Sequence, residues 1–388
     1  MILREAEKTL RHLARQFRSV AVVGPRQSGK TTLVQKTFPR KSYVSLEDPD
    51  ERLLASNDPR AFLDRFKNGA ILDEAQRAPA LFSYLQHILD KSRKDGLFIL
   101  TGSNNFLLQD SISQTLAGRI GYMDLLPLTF HEIASFDKHT YQTDELLWSG
   151  GYPEIYDRKR SPSLWYPAYI RTYVERDVRQ LKNIENTLLF NKFLQLCAGR
   201  IGQQLNVSAI STECGIDVKT VQHWLAILQS SYIIFLLPPH FKNFNKRVVK
   251  TPKLFFYDTG LACSLLGIRQ IKEIQNSHFR GPLFENFVIL EWLKRKHNKG
   301  SNTAFYYWRD NKGVEIDLLL DTGRKLVPIE IKSGQTFHED FLKNIRLWKS
   351  YSGLAGGMLL HDGAASYVRS DKISVASWRG ESIYKSII

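Results

Sequence analysis

The sequence AVVGPRQSGKTTLVQKT, residues 21–37, decides the fold of the surrounding chain. Within it, Gly24-Pro25-Arg26-Gln27-Ser28-Gly29-Lys30-Thr31 has the spacing G-x-x-x-x-G-K-[ST], between an apolar run and a helix-compatible run. Backbone N–H groups of such a loop point at a phosphate, and the following helix presents its positive N-terminus. Lys30 adds a point charge and Thr31 a hydroxyl for Mg²⁺. The stretch therefore predicts a phosphate-binding loop, with Thr32 also contacting the nucleotide.

Two carboxylates follow an apolar strand downstream, in the sequence Ala70-Ile71-Leu72-Asp73-Glu74. In phosphate-loop enzymes this position carries the acid near Mg²⁺ and a neighbouring glutamate that activates water. We therefore assign Asp73 to the metal shell and Glu74 to orienting or deprotonating the attacking water. A solvated acidic pair is the alternative, which the preceding loop disfavours.

Small polar residues end the next apolar strand, at Thr101-Gly102-Ser103-Asn104. Ligands bind at the carboxyl ends of strands in open α/β sheets. Ser103 and Asn104 are therefore candidates to contact the terminal phosphate. Arg119 precedes the following strand, where a guanidinium is either an arginine finger, acting within the chain or across a subunit boundary, or half of a structural ion pair.

The first third of the chain alternates strand-like and helix-like segments. Apolar runs of β type recur at 20–23, 43–46, 70–72, 97–100 and 122–126. This alternation predicts an α/β fold with a parallel sheet. Residues 1–18 predict an amphipathic helix whose polar side carries Arg4, Lys8, Arg11, Arg15 and Arg18.

The composition indicates a globular protein of several domains, with 388 residues, 43% of them apolar and 12% aromatic. The three cysteines are widely spaced, so they predict neither a disulfide framework nor a zinc site. We expect a protein of the reducing cytoplasm. The first 17 residues do not read as a secretory signal, and the best apolar run, at 232–237, is too short to span a membrane.

The net charge of +15, from 54 Lys and Arg against 39 Asp and Glu, favours a polyanionic partner. Nucleic acid is the commonest such partner in the cytoplasm. Binding to acidic lipid, or solubility alone, also explains an excess of this size. Charge therefore makes DNA a candidate partner without deciding the choice.

Residues 188–275 predict a winged helix-turn-helix. Helices are expected at 188–198, 207–214 and 218–229, with Asp217 capping the last, before strands at 232–237 and 254–257. The predicted DNA contacts are Lys219, with Thr220, Gln222 and His223 on the same helix, and the wing residues Lys242, Lys246, Arg247, Lys250 and Lys253. A winged module for protein contacts is the alternative, because the recognition helix has one lysine and no arginine.

The last hundred residues predict a separate α/β domain. Strand alternation places Asp317 on one strand near Glu330 and Lys332 on the next, so these side chains can converge. The pattern resembles the Asp...Glu-x-Lys core of restriction-endonuclease-like nucleases, whose acids hold Mg²⁺ and whose lysine positions water. Glu285 on the preceding helix stands where that fold often adds another acid. The alternatives are a salt bridge on a wet face, and a domain that binds without cleaving.

Several motifs together resemble the prokaryotic AAA-type ATPases of the archaeal-ATPase-like group. They are GPRQSGKT, ILDEAQRAP, LTGSNNF, LAGR, LPLTFHEI and GGYPE, and the resemblance extends over nearly the whole chain. It implies an additional-strand sheet, in which the strand ending at Ser103 lies between the strands that precede Lys30 and Asp73. It also implies roles for Ser103 and Arg119 at the nucleotide.

We divide the chain into a P-loop ATPase domain at 1–128, a helical lid at 129–187, a winged-helix domain at 188–275 and a restriction-endonuclease-like domain at 276–388. Three hypotheses follow for its function. The first is an ATPase, with ATP and Mg²⁺ as cofactors, that couples its nucleotide state to DNA binding. The second adds metal-dependent DNA cleavage. The third is an ATP-driven switch of protein assembly or signalling without DNA, and a homo-oligomer is compatible with all three.

Overall fold

The computed structural model describes residues 1–103, 115–173, 186–240, 250–385 and 387. The chain divides into two compact units. The first comprises Met1–Leu128, Ser230–Tyr232 and His297–Gly300; the second comprises Thr129–Gln229, Ile233–Lys296 and Ser301–Ile388. Among the described residues, no helix has the length and apolar character needed to cross a membrane.

The first unit alternates strands and helices as the sequence predicts. Its strands are β1 (Ser19–Val23), β2 (Ser42–Ser45), β3 (Ala70–Asp73), β4 (Phe98–Gly102) and β5 (Ile120–Asp124). Its helices are α1 (Glu7–Gln16), α2 (Lys30–Thr37), α3 (Pro49–Asn57), α4 (Pro59–Asp64) and α5 (Leu81–Lys91), with a 3₁₀ turn at Ala75–Arg77.

The five strands form one parallel sheet in the order β2-β3-β4-β1-β5. β4, which leads to Ser103, lies between β3 and β1, so the strand order implied by the family resemblance is confirmed. Every residue of β1, β3 and β4 is buried, because central strands of such a sheet are covered on both faces. The carboxyl ends of these three strands therefore meet at one edge.

The N-terminal helix is shorter than predicted. It begins at Glu7 rather than near the first residue, and Leu10 and Ala14 on its apolar side join the core of the unit. Arg4 lies before the helix, where its guanidinium donates to the carbonyl oxygens of Ser28 and Leu126, each at 2.7 Å. The sequence pattern assigned Arg4 to a polar helix face, whereas its contacts place it against the phosphate-binding loop.

The remaining part of the chain, residues 129–388, is helical at its start and ends in a six-stranded sheet. Its helices are α6 (Phe130–Phe136), α7 (Thr143–Ser149), α8 (Pro153–Asp157), α9 (Pro162–Tyr169), α10 (Thr187–Ala198), α11 (Val207–Cys214), α12 (Val218–Ser230), α13 (Thr259–Leu265), α14 (Ile271–Gln275), α15 (Arg280–Lys299), α16 (Lys343–Ser352) and α17 (Glu381–Lys385). Its strands are β6 (Ile234–Leu237), β7 (Lys253–Phe256), β8 (Ala304–Arg309), β9 (Glu315–Asp321), β10 (Leu326–Lys332), β11 (Gly357–His361), β12 (Tyr367–Val368) and β13 (Ile373–Ser377).

The sequence GGYPE surrounds a buried carboxylate. Asp258 is 1% exposed and accepts hydrogen bonds from the backbone N–H groups of Gly151, at 2.7 Å, and Leu261, at 2.9 Å. Burial raises the pKa of Asp258, against these stabilising hydrogen bonds. A Cβ at Gly150 would clash with the hydroxyl of Tyr166. The motif therefore has a structural role in packing α7 and α9 around Asp258.

Three helices and a hairpin occupy the segment after residue 186. Asn206 caps α11, Gly215 ends it in a left-handed conformation, and Asp217 accepts the Thr220 N–H at 2.9 Å to begin α12. β6 and β7 then pair antiparallel. Lys219, like Gln222 and His223, lies on the exposed side of α12. The predicted wing residues Lys242, Lys246 and Arg247 lie outside the described residues.

The C-terminal sheet has the order β12-β13-β11-β10-β9-β8, with β9 antiparallel to β10 and β10 parallel to β11. Trp308, Ile345 and Trp348 belong to the buried core between this sheet and α16. A 3₁₀ turn, Glu339–Leu342, directly precedes α16. Sequence patterns did not predict β12, β13 or α17, whose short segments carry little periodicity.

Candidate functional site

The loop between β1 and α2 has the backbone shape that phosphate binding needs. Gly24 has φ +147°, and a Cβ there would clash with the carbonyl oxygen of Leu125. Gln27 and Gly29 also have positive φ, at 63° and 90°. Ser28 is fully buried, and its hydroxyl has no hydrogen-bond partner among the described residues. The loop is therefore a tight turn with an unsatisfied hydroxyl inside it.

Lys30 is the first residue of α2 and is 5% exposed. Its ammonium donates to the loop's own carbonyl oxygens, Gly24 at 3.1 Å and Pro25 at 2.9 Å. Burial lowers the pKa of Lys30, while the charges of Glu74 and Asp73 oppose that effect. A buried ammonium held by two neutral carbonyls can exchange them for phosphate oxygens, which carry full charge.

Asp73 ends β3 and is 6% exposed. Both of its carboxylate oxygens lie 3.0 Å from the Thr31 hydroxyl. Thr101 also donates to one oxygen, and Tyr43 donates to the other at 2.9 Å. Sequence reasoning identified Thr31 and Asp73 but missed Tyr43 and Thr101, because their proximity depends on which strands pair.

Glu74 follows Asp73 in a left-handed conformation, with φ 54°. Its Oε2 accepts from Gln76 Nε2 at 2.5 Å, from Ser103 Oγ at 2.7 Å and from Ser103 N at 3.3 Å. Burial opposes ionisation of Glu74, but the charge of Lys30 and these hydrogen bonds outweigh burial and lower its pKa. Glu74 is therefore an ionised base at neutral pH whose other oxygen, Oε1, is not engaged by these three donors.

The remaining predicted nucleotide residues take different positions. Ser103 contacts Glu74, whereas Asn104 lies outside the described residues. Arg26 pairs with Glu47 at 2.9 Å on the exposed side of the loop. Thr32 lies in the first turn of α2, directly after Thr31.

Arg119 lies at the other edge of the sheet. It directly precedes β5, whose parallel pairing with β1 puts Arg119 at the amino ends of the strands. Its guanidinium contacts Asp90 at 2.5 and 3.1 Å. Because Lys30 and Glu74 follow the carboxyl ends, Arg119 is not brought to the nucleotide site of its own chain. The sequence allows Arg119 to act as an arginine finger either within its own chain or across a subunit boundary. The topology of the sheet disfavours the first alternative.

The donor set at the carboxyl edge suits Mg²⁺. The ion prefers oxygen ligands and is usually bound through one or two protein groups together with substrate phosphates. The Thr31 hydroxyl and the Asp73 carboxylate already lie 3.0 Å apart beside the buried Lys30. These residues therefore fit a Mg²⁺–nucleotide complex. Strand, loop, helix and acidic strand end together define a P-loop ATPase domain.

A second polar cluster lies on β9 and β10. Lys332 Nζ is 2.7 Å from Glu330 Oε1 and 3.8 Å from Asp317 Oδ2, and Asp317 accepts the Ile331 N–H at 2.8 Å. Glu330 is 1% exposed, and its Oε2 is without a hydrogen-bond partner among the residues that the structure covers. Burial and the charge of Asp317 raise the pKa of Glu330 to about 8. The three side chains that the sequence predicted to converge therefore do so.

Lys253 adds an unexpected cation beside this cluster. It begins β7, its side chain is 4% exposed, and its ammonium lies 2.9 Å from Glu285 and 2.5 Å from Glu315. Burial raises the pKa of Glu285 to about 7 despite the opposing charge of Lys253. The sequence assigned Lys253 to an exposed basic wing, and the structure corrects this: its ammonium is buried among carboxylates. Within the described ranges, no group of three or more His, Cys, Asp or Glu side chains is arranged to hold a metal ion.

Comparison with protein families agrees with the first site. The AAA domain family matches residues 16–134. Two domains of unknown function follow, DUF8612 at residues 140–272 and DUF4143 at residues 280–379. The chain therefore contains an AAA-type P-loop ATPase domain, and the matches beyond it carry no description of activity.

Similar proteins occur in bacteria. An uncharacterized protein of Mycobacterium tuberculosis is 29% identical over 338 residues, covering 86% of this chain and 74% of that protein. An uncharacterized protein of Haemophilus influenzae is 24% identical over 215 residues, covering 52% of each chain. Among solved structures, a Walker-type ATPase of Pyrococcus abyssi has a TM-score of 0.47 and 16% identity, covering 67% of this chain and 94% of that one.

Proposed function

We propose that this protein is a Mg²⁺-dependent ATPase whose nucleotide state controls DNA binding by the chain beyond residue 190. The observation that supports the ATPase part best is the contact of Thr31 with Asp73, at 3.0 Å, beside a buried Lys30. An ionised Glu74 lies next to this pair. Protein groups suited to bind phosphate, metal and the attacking water therefore lie together at one edge of the sheet.

Each residue has a definite task in this proposal. Lys30 exchanges its loop carbonyl partners for phosphate oxygens, and Thr31 and Asp73 would hold Mg²⁺. When bound, Mg²⁺ neutralises negative charge on the phosphates. Glu74 accepts the proton of the attacking water through Oε1, because Ser103 and Gln76 occupy Oε2. The hydrogen bonds from Ser103 and Gln76 hold the Glu74 carboxylate in place before nucleotide arrives, which lowers the reorganisation that this base requires.

ATP turnover tests this assignment. Lys30→Ala is expected to abolish nucleotide binding, whereas Glu74→Gln is expected to bind ATP normally and turn it over at least 100-fold more slowly, in line with the loss of a general base. Lys36→Ala, at a half-buried position in the last turn of the same helix, is the matched control and should retain wild-type turnover. No turnover by the wild type, or equal turnover after Lys30→Ala, would contradict the proposal.

The DNA part is supported by the net charge of +15 and by the exposed polar side of α12, where Lys219 lies. Exposed Lys250 precedes β7 and is a second candidate contact. Binding of a labelled duplex should differ between the ATP, ADP and nucleotide-free states, and should weaken as salt rises, because phosphate contacts release counterions. If no DNA is retained at low salt while nucleotide changes the mass seen by light scattering, the ATPase switches protein assembly instead.

A metal-dependent nuclease is the second candidate function, favoured by the convergence of Asp317, Glu330 and Lys332. The unpartnered Glu330 Oε2 and the two carboxylates suit a hard divalent cation, so Asp317 and Glu330 would hold it. Lys332 would then contact the scissile phosphate or its attacking water.

Plasmid and branched DNA, incubated with Mg²⁺ or Mn²⁺, test the nuclease proposal. Cleavage should disappear in Asp317→Ala and persist in Asp321→Ala, a matched change at the end of the same strand. Cleavage that survives Asp317→Ala would indicate a contaminant. Absence of cleavage with both metals would leave the ATPase proposal intact and contradict the nuclease.

A further inference from the structure

Tyr43 contacts the carboxylate that the metal site needs, although no sequence motif includes it. It lies on β2, an edge strand of the parallel sheet, and its hydroxyl donates to Asp73 Oδ2 at 2.9 Å. In the register of β2 and β3, Asp73 pairs with Ser45, two residues after Tyr43. Because alternate strand residues share a face, Tyr43 reaches Asp73 diagonally across one face of the sheet.

The Tyr43 side chain is partly exposed. The residue is 39% exposed, and its hydroxyl interacts with Asp73 and with Ser45 at the end of the ring. A tyrosine hydroxyl is protonated at physiological pH, so the phenol can donate to Asp73.

The geometry around Asp73 separates two kinds of donor. Thr31 lies 3.0 Å from both oxygens, and its own oxygen is the group expected to turn toward Mg²⁺. Thr101 and Tyr43 each donate to one oxygen from neighbouring strands, so they fix the carboxylate from outside. Groups that orient a metal-binding carboxylate in this way tune the affinity of the site.

We propose that Tyr43 is a positioning residue for the nucleotide-bound Mg²⁺, whose hydroxyl fixes the orientation of the Asp73 carboxylate. The inference rests on the proposed Mg²⁺–ATP binding by the P-loop. Loss of the hydroxyl should weaken Mg²⁺ without weakening nucleotide itself, because the contact of the phenol is with Asp73 and not with the loop that cradles phosphate.

Tyr43→Phe keeps the ring and removes only the donor. Binding of a fluorescent methylanthraniloyl ATP is measured in EDTA and again during a Mg²⁺ titration. We expect the affinity in EDTA to stay within twofold of wild type and the half-saturating Mg²⁺ concentration to rise about tenfold, the lower end of the usual effect of losing an outer-shell partner. Tyr84→Phe, another partly exposed tyrosine on α5, is the matched control and should behave as wild type.

The outcomes separate this inference from the proposed function. Wild-type protein that binds no labelled ATP contradicts the proposed function itself. Wild-type binding that depends on Mg²⁺, with the same Mg²⁺ requirement in Tyr43→Phe, overturns only the role of Tyr43. A loss of affinity in EDTA also overturns it, since Tyr43 would then act on the phosphate loop or on folding.

Discussion

Replacing Lys253 with methionine should destabilise the second unit in a pH-dependent way. Methionine keeps a long unbranched side chain but removes an ammonium that is buried between two carboxylates, Glu285 at 2.9 Å and Glu315 at 2.5 Å. Glu315 retains Arg309 as a partner at 2.8 Å. The loss therefore falls mainly on Glu285, which is left as a buried acid beside other acids.

The size of the effect follows from the protonation of Glu285. Its folded-state pKa, about 7, lies above its usual value, so the folded protein holds a proton that the unfolded chain releases. That retained proton stabilises the fold at low pH, and the contribution is lost as pH rises through about 7. Without Lys253 the folded-state pKa rises further, because the cation no longer favours the ionised form.

The expected cost is therefore different at two pH values. At pH 6, Glu285 is largely protonated in both proteins, and the variant loses a buried hydrogen-bonded contact, about 2 kcal/mol. At pH 8 the folded variant still holds the Glu285 proton that the folded wild type has released. This difference adds about 1.4 kcal/mol to the loss of unfolding free energy for each pH unit above 7. We expect a loss of about 3 kcal/mol at pH 8, near the lower end for breaking a buried ion pair.

Urea unfolding followed by tryptophan fluorescence measures this loss selectively. All seven tryptophans belong to the second unit, so the signal reports on that unit. Lys250→Met, a nearby exposed lysine, is the control and should have almost no effect. In a Glu285→Gln background, Lys253→Met should cost the same at pH 6 and at pH 8, because no titrating acid remains at position 285. A loss that is equal at the two pH values, or below about 1 kcal/mol at pH 8, would refute the reasoning.

Three further predictions concern other residues. If Arg119 serves a neighbouring subunit, Arg119→Ala and Lys30→Ala should each abolish ATP turnover, and mixing the two variants should restore it; no recovery would contradict that role. Gly24→Ala should weaken labelled-ATP binding at least tenfold, since a Cβ would clash with the Leu125 carbonyl oxygen in a loop with positive φ. Asp258→Asn should lower the urea-unfolding free energy by about 1–3 kcal/mol, because the new amide nitrogen would face one of the two buried N–H donors, Gly151 or Leu261. Wild-type stability of the variant would contradict this reasoning.

The nucleotide site was more predictable from sequence than the contacts that support it. Lys30, Thr31 and Asp73 lie in spaced motifs whose chemistry is local to one loop or one strand end. Tyr43 reaches Asp73 through strand pairing, and Gln76 reaches Glu74 through a 3₁₀ turn. Neither contact leaves a periodic signal in the sequence.

The C-terminal half shows the same division. Alternation along β9 and β10 predicted that Asp317, Glu330 and Lys332 share a location, since side chains two apart point to one face. Lys253 looked like one member of a solvated basic run. It is in fact the first residue of β7, a strand whose four residues are all buried. The charge pattern of the sequence therefore predicted a basic segment but did not indicate which of its lysines is buried.

The two polar sites differ in which groups contact their carboxylates. This difference favours the nucleotide site as the primary site for a divalent cation. At the P-loop, neutral hydroxyl donors surround Asp73, and the pKa of Glu74 is lowered, so Glu74 can meet a water in its ionised form. In the C-terminal cluster, burial raises the pKa of Glu285 to about 7 and that of Glu330 to about 8, while the ammonium groups of Lys253 and Lys332 already contact the carboxylates. A divalent cation there must compete with bound protons and two ammonium groups, whereas Mg²⁺ at the P-loop arrives with the charge of the nucleotide phosphates.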